Sequence, residues 1–207
     1  NKFSGTIEYF KRQSKDLLFT MPMAPSTGFG GIDRNIGDVE NYGIEFTLNY
    51  VPFSSKDFTW TIDLNGTSYE NKITKLPQDE MNSGYFKWRE GESRFNFWGI
   101  EYAGVNPENG NDQYWMVVDK EDGSTERVKT EDYNAVSSDK HKKYLGDALP
   151  TLFGGLTNSF SYKGIDFSFM IYYSLGGKLY DGDYAQAMAY RQGYSLHPDM
   201  LEAWTPE

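Results

Sequence analysis

Residues 35–64, NIGDVENYGIEFTLNYVPFSSKDFTWTIDL, decide how the rest of the chain is read. Tyr42, Ile44, Phe46, Leu48 and Tyr50 recur at every second position, with Gly43, Glu45, Thr47 and Asn49 between them. A repeat of two marks a strand, whose side chains point alternately to its two faces. The pattern breaks over 51–57 and resumes with Phe58, Trp60, Ile62 and Leu64 against Thr59, Thr61, Asp63 and Asn65. Two such runs joined by a short connection predict a hairpin with one apolar, aromatic face and one small, polar face. A soluble sandwich would turn the apolar face into a core. An outer-membrane barrel would turn it toward lipid, with aromatic rings at the interfaces and the polar face toward the lumen. Periodicity alone leaves both architectures open, because each covers alternate residues.

Composition narrows the function classes. Among 207 residues there are 16 Tyr, 14 Phe, 5 Trp and 21 Gly, a mixture of strand and turn formers. No stretch approaches eighteen apolar residues, so no transmembrane helix is predicted, which says nothing against a barrel. The formal net charge of -10 is wrong for tracking phosphates, and nucleic acid is excluded as a partner on that ground. With no cysteine there is no disulfide, thiolate metal site or cysteine nucleophile. The chain opens on Asn1 and closes on Glu207 without a leader or a closing element, so it is expected to be a piece of a longer protein.

Along the chain, strands are expected at about 5–12, 41–51, 57–69, 155–163 and 165–175. Long loops are expected at about 13–40, 71–154 and 176–207. Pro22, Pro25, Gly28, Gly30 and Gly31 set the first loop. Within the second, 113–119 and 125–128 around Asp122-Gly123 predict a small hairpin. Leu156, Phe160 and Tyr162 alternate with polar residues up to the tight turn Lys163-Gly164, and Ile165, Phe167, Phe169, Ile171 and Tyr173 line one face of the next strand. Residues 184–190 can make one or two helical turns. Long and short connections thus alternate along the chain, as they do in a membrane barrel whose functional loops lie on one rim. That alternation favours the barrel.

Several stretches then resemble the SusC/RagA-type TonB-dependent outer-membrane transporters of the Bacteroidetes. They are Tyr9-Phe10 with 15–18, Thr27-Gly28-Phe29, Asn35-Ile36-Gly37 with 41–45, Gly91-Glu92-Ser93, 104–110, 144–150, 153–155 and 162–166. Asn106 stands where that family more often has Asp, and Asp147 where it often has Asn. The resemblance implies an all-β fold: antiparallel strands of a large transmembrane β-barrel, here a fragment with long extracellular loops from the C-terminal half of a barrel of roughly 22 strands. It further implies an outer-membrane location in contact with lipid, active import of an oligosaccharide, glycan or peptide nutrient, a SusD-like surface lipoprotein as partner, and energy from the TonB complex acting through parts absent from this chain. The alternative is a soluble β-sandwich carbohydrate-binding module.

No converging catalytic set is visible, so a non-enzymatic role is expected, with no cofactor. His141 and His197 sit in polar surroundings and read as surface residues. The carboxylates Glu90/Glu92 and Asp79/Glu80 suit a solvated loop better than acid–base catalysis. Asn106–Asp112 and Asp181–Asp183 carry oxygen ligands at calcium-like spacing, but Asn, Asp and Gly are also turn formers, and no metal is assigned. The aromatic loops are the candidate contact sites. Trp88, Arg89, Trp98, Tyr102, Tyr114 and Trp115 are expected to touch a ligand or a partner, with Glu90, Arg94, Asn96, Phe97, Glu101 and Gln113 interleaved. Rings stack on apolar sugar faces while neighbouring amides, guanidiniums and carboxylates bind hydroxyls. The same rings could instead form the insertion's own small core.

Overall fold

The computed structural model describes residues 2–23, 25–28 and 30–206. Phe29 of the Thr27-Gly28-Phe29 stretch therefore lies outside the described residues. The chain forms two compact units, one of residues 1–96 and 146–178, the other of 97–145 and 179–207.

The first unit is built on β1 (Phe3–Pro22), β2 (Gly31–Ser54) and β3 (Phe58–Lys75), followed by the short β4 (Glu80–Ser83) and β5 (Phe86–Arg89). The second unit takes up all but the first residue of β6 (Asn96–Ile100), then β7 (Tyr102–Val105), β8 (Asp112–Asp119), β9 (Thr125–Thr130) and all but the last two residues of β10 (Lys142–Asp147). The chain then returns to the first unit for β11 (Leu152–Tyr162) and β12 (Ile165–Leu175), and α1 (Gly182–Met188) closes the second. β1, β2, β3, β11 and β12 make one antiparallel sheet in that order.

Cross-strand register joins the alternating faces of single strands into a two-sided wall. Gly5, Leu48, Leu64, Leu156 and Ile171 lie in one row across all five strands. Phe53, Trp60, Phe160 and Phe167 lie in another row of the same face. The opposite face carries rows such as Thr6, Thr47, Asn65 and Gly155. The apolar face is not covered: Ile7 is 78% exposed, Ile165 71% and Ile171 51%. Between the Phe58 row and the Ser68 row are ten steps, which at about 3.3 Å per residue and a tilt of about 40° give a band roughly 25 Å tall, the apolar height of an outer-membrane barrel. A sandwich would bury this face against a second sheet. Among the described residues the buried hydrophobics are only Val39, Ile73, Leu76 and Val136.

The band is bounded at both ends. On the short-turn side the rings crowd together: Trp60 stacks on Phe160 at 5.8 Å, Phe160 on Phe167 at 6.3 Å, and Phe53 meets Phe58 at 5.7 Å. This is the aromatic girdle expected where lipid gives way to water. Trp60 Nε1 donates to Asn158 Oδ1 at 3.1 Å, satisfying the one amide side chain in that face's Tyr50–Ile62–Asn158–Phe169 row. Lys163 (φ 47°) and Gly164 (φ 83°) both take positive φ, as a two-residue hairpin turn that follows strand twist requires. Pro52 falls where the β2–β3 register shifts between Tyr50 and Phe53, a bulge that spares the ladder a missing donor. At the other end the outward row becomes polar, with Lys11 opposite Tyr42 and the Tyr42 hydroxyl donating to Glu70 at 2.5 Å.

The expected loop at 13–40 is instead the continuation of β1 and β2, paired from Lys11–Tyr42 up to Pro22–Gly31. The proline and glycine breakers mark only its tip. Neither face is apolar here, so no period of two shows; the pairing is held by polar cross-strand contacts. Gln13 donates to Glu40 at 2.8 Å, Lys11 pairs with Glu40 at 2.9 Å, and Thr20 donates to Asp33 at 2.6 Å. A bulge between Ser14 and Leu17 puts Asp16 at φ 54°, its N–H held by Asp38. The span 71–154, also expected as loop, holds seven short strands (β4 to β10), the last residues of β3 and the first of β11. The hairpin expected at 113–128 is β8–β9, and the helical turns expected at 184–190 are α1, two residues earlier.

Beyond Thr67, β3 has no β11 partner. Residues 91–94 take the vacant edge: Ile73 N–H donates to Glu92 O at 2.9 Å and Gly91 N–H to Ile73 O at 2.8 Å. Leu17, Met81 and Trp88 pack on Val39, Ile73 and Leu76 above this seam.

Candidate functional site

Trp88 and Arg89 belong to the first unit, and the structure gives both internal work. Trp88 is half-buried on the Ile73 cluster, its Nε1 donates to Arg94 O at 2.9 Å, and the Arg94 guanidinium lies 5.4 Å from its ring. Arg89 and the almost fully buried Lys87 share the Glu80 carboxylate, each at 2.7 Å. Those two cations hold Glu80 below the usual carboxylate range, Lys87 contributing most. Glu90 accepts the Leu76 N–H at 2.9 Å and Glu92 the Asn96 amide at 3.2 Å.

Trp98, Tyr102, Tyr114 and Trp115 belong to the second unit, where β7, β8 and β9 form a small sheet. Trp98 stands edge-on to Tyr144 at 4.9 Å. Tyr102 and Tyr114 face each other across β7–β8 at 6.1 Å, and Tyr114 meets Tyr133 at 5.4 Å. Tyr102 and Tyr133 are more than half exposed, so three phenol rings form one accessible cluster. The Tyr102 hydroxyl donates to Asp112 at 3.0 Å, and burial together with that carboxylate raises its pKa. Tyr133 follows β9 in a stretch with no alternation, and nothing in the sequence singled it out.

Trp115 points to the opposite side of β8. The Arg127 guanidinium lies 4.8 Å from its ring and the Lys129 ammonium 5.6 Å. Glu101 pairs with Lys143 at 2.7 Å and also with Arg127, and these cations, Lys143 first, keep its carboxyl below the ordinary range. Asn96 and Phe97 lie on β6 and Gln113 on β8.

The oxygen-rich stretch 106–112 is organised around a carboxylate. Asn106, Asn109 and Asn111 all turn their amide nitrogens onto Glu131, at 2.6, 3.1 and 2.8 Å. Donors converging on an anion are the reverse of a cation cage, and the three amides hold Glu131 below its ordinary pKa. Gly110 (φ 76°) lies beneath the Trp204 ring, whose Nε1 donates to Pro107 O at 3.0 Å. Asp181 caps α1 by accepting the Tyr184 N–H at 2.8 Å. His141 is half-buried rather than exposed, and its Nδ1 accepts the Val117 N–H at 3.1 Å on the side of β8 that β7 leaves open. His197 likewise accepts the Asp199 N–H at 3.2 Å and meets the Tyr184 ring at 4.9 Å.

No family model matches the chain. It is 33% identical over 195 residues to the TonB-dependent receptor SusC of Bacteroides thetaiotaomicron, covering 86% of this chain and 18% of that one. It is 29% identical over 219 residues to TonB-dependent receptor P3 of Formosa agariphila, covering 100% of this chain and 22% of the relative. The solved RagAB peptide transporter superposes with a TM-score of 0.80 at 24% identity, over 99% of this chain and 23% of that chain. The chain thus spans about a fifth of the length of the proteins it matches. With likeness in sequence to SusC, likeness in fold to RagAB, and a sheet built as a barrel wall, the chain belongs to the SusC/RagA-type TonB-dependent receptors.

Proposed function

We propose that the whole protein imports a nutrient across the outer membrane and that this chain supplies five strands of its barrel wall together with part of its outer rim, from the C-terminal half of the barrel. The uncovered apolar face of the five-stranded sheet carries the proposal, since a face with Ile7 at 78% and Ile165 at 71% exposure needs a lipid neighbour. The polar face then looks into the lumen. The short turns at 55–57 and 163–164 then lie on the periplasmic side, and the extended β1–β2 hairpin on the external side. The nutrient is an oligosaccharide or a peptide, a SusD-like lipoprotein is the partner, and TonB delivers energy through parts beyond this chain. The RagAB neighbour, a peptide transporter, supports the peptide reading, SusC and RagAB support the lipoprotein partner, and the TonB-dependent receptors among the relatives support the energy source.

The exposed Tyr102–Tyr114–Tyr133 cluster and the Trp115–Arg127–Lys129 cluster are proposed as contacts for ligand or lipoprotein, while Trp98 packs on Tyr144. Trp88 and Arg89 act as framework. Deletion of the full-length gene in its native host, followed by growth on single glycans and on peptides, tests the proposal. Loss of growth on one nutrient class, restored by the intact gene, supports it. Unchanged growth and uptake on all of them overturns it.

A further inference from the structure

Three rings stand together on the inner face of the wall, which elsewhere is mostly small and polar, with Met170 and Tyr172 of β12 as its other large side chains. Phe10, Gly43 and Tyr69 are consecutive partners across β1, β2 and β3, and Phe153 of β11 sits one row nearer the band, opposite Thr67. Phe10 and Tyr69 are 6.5 Å apart and Tyr69 and Phe153 6.2 Å. Gly43 has no side chain to separate them, and a Cβ there would stand 2.6 Å from that of Tyr69. The result is a groove of about 660 Å³ floored by the three rings and edged by Arg12, Asn41, Glu45 and Thr67.

The edge is chemically mixed. Arg12 lies opposite Asn41, two residues beyond the ring row, and Glu45 two residues before it. At about 3.4 Å per residue the two ends are roughly 14 Å apart, which suits a short run of rings better than a single one. Among the described residues neither Arg12 nor Glu45 has an ion-pair or hydrogen-bond partner. Asn41 spends its carbonyl on Asn71, at 2.7 Å, and keeps its amide donors. Glu45 stands directly opposite Glu8, a like-charge pair that costs the sheet stability. An apolar protein side chain filling the groove would desolvate these groups without pairing them. A polyhydroxylated ring matches them, because each hydroxyl both donates and accepts while the ring's C–H face rests on an aromatic.

We propose that this groove is a sugar-stacking subsite of the lumen wall: Phe10, Tyr69 and Phe153 bind pyranose faces, and Arg12, Asn41, Glu45 and Thr67 bind hydroxyls. It rests on the import proposal above and narrows the nutrient to a glycan, taken in through the barrel just inside its outer mouth. The groove is independent of the tyrosine cluster on β7–β8.

The test uses the full-length receptor in detergent with two probe sets: an array of tetra- to octasaccharides and a library of peptides of similar length. Glycan binding is expected, weakened at least tenfold by Phe153→Ala and at least threefold by Arg12→Ala and by Glu45→Gln, with the melting temperature of Glu45→Gln unchanged or raised. Binding of peptides only, no glycan binding, or glycan binding indifferent to all three substitutions would each overturn the subsite. Failure of the import proposal would look different, as glycan binding retained in a protein whose deletion leaves uptake untouched.

Discussion

Arginine in place of Ile171 separates a lipid-facing wall from a water-facing one. Ile171 lies in the central row of the apolar face, beside Leu156, and is 51% exposed in this chain. If water covered that face, Ile171→Arg would be an ordinary surface change worth within about 0.5 kcal/mol. In a bilayer the same guanidinium sits near the midplane, where it costs about 2–4 kcal/mol, a roughly 30- to 900-fold shift in the folding equilibrium. Tyr162→Arg, in the last row before the Lys163-Gly164 turn, is the internal control and is expected to cost about 0–1 kcal/mol because the interface is wet there. Both are measured by urea titration of the full-length receptor refolded into phospholipid vesicles. An Ile171→Arg protein as stable as the parent, or two equal penalties, would refute the placement of this face in hydrocarbon.

Three further outcomes follow from local geometry. Trp60→Phe removes the donor from Asn158 Oδ1 and is expected to cost about 1–3 kcal/mol in vesicles, with the double variant Trp60→Phe/Asn158→Leu recovering most of it in a mutant cycle. Gly110→Ala places a methyl 2.8 Å from Trp204 Cδ2 at a positive φ, so it is expected to displace the indole and red-shift its emission, at a cost of about 1–3 kcal/mol. Glu131 has a folded pKa below its ordinary 4.5, so its contribution is present above that value and is lost as pH falls through the lower folded one. Protease cleavage within 106–112 should therefore accelerate in acid, and Glu131→Gln should flatten that pH dependence.

The apolar face was legible because the proposed lipid contact imposes the simplest rule a sequence can carry, an apolar residue at every second position. Tyr42 to Tyr50, Phe58 to Leu64 and Ile165 to Tyr173 obey it and fell on strands. The β1–β2 extension was illegible for the converse reason. Water on both sides asks for no alternation, and its register rests on pairs such as Gln13–Glu40 and Thr20–Asp33, which have no local signature. The inner groove left a trace: Phe10 spoiled the polar face of its strand, and Tyr69 and Phe153 lay beyond the clean part of theirs. Read singly, each looked like noise. Only cross-strand register brings three irregularities from distant parts of the chain into one place.

Of the six expected contact residues, Tyr102 and Tyr114 meet in one cluster because β7 and β8 are adjacent hairpin strands. Trp88 and Arg89 were drawn into the first unit by an apolar seam and a carboxylate that composition could not reveal.

The chain's freedom from cysteine permits the most direct measurement. Single cysteines at 165–171 of β12, in a full-length receptor freed of any others, would carry a fluorophore in vesicles, with one quencher confined to lipid and another to water. The expected result is strict alternation: 165, 167, 169 and 171 quenched from lipid, 166, 168 and 170 from water. Uniform quenching by the aqueous agent, or alternation of the opposite phase, would contradict the wall.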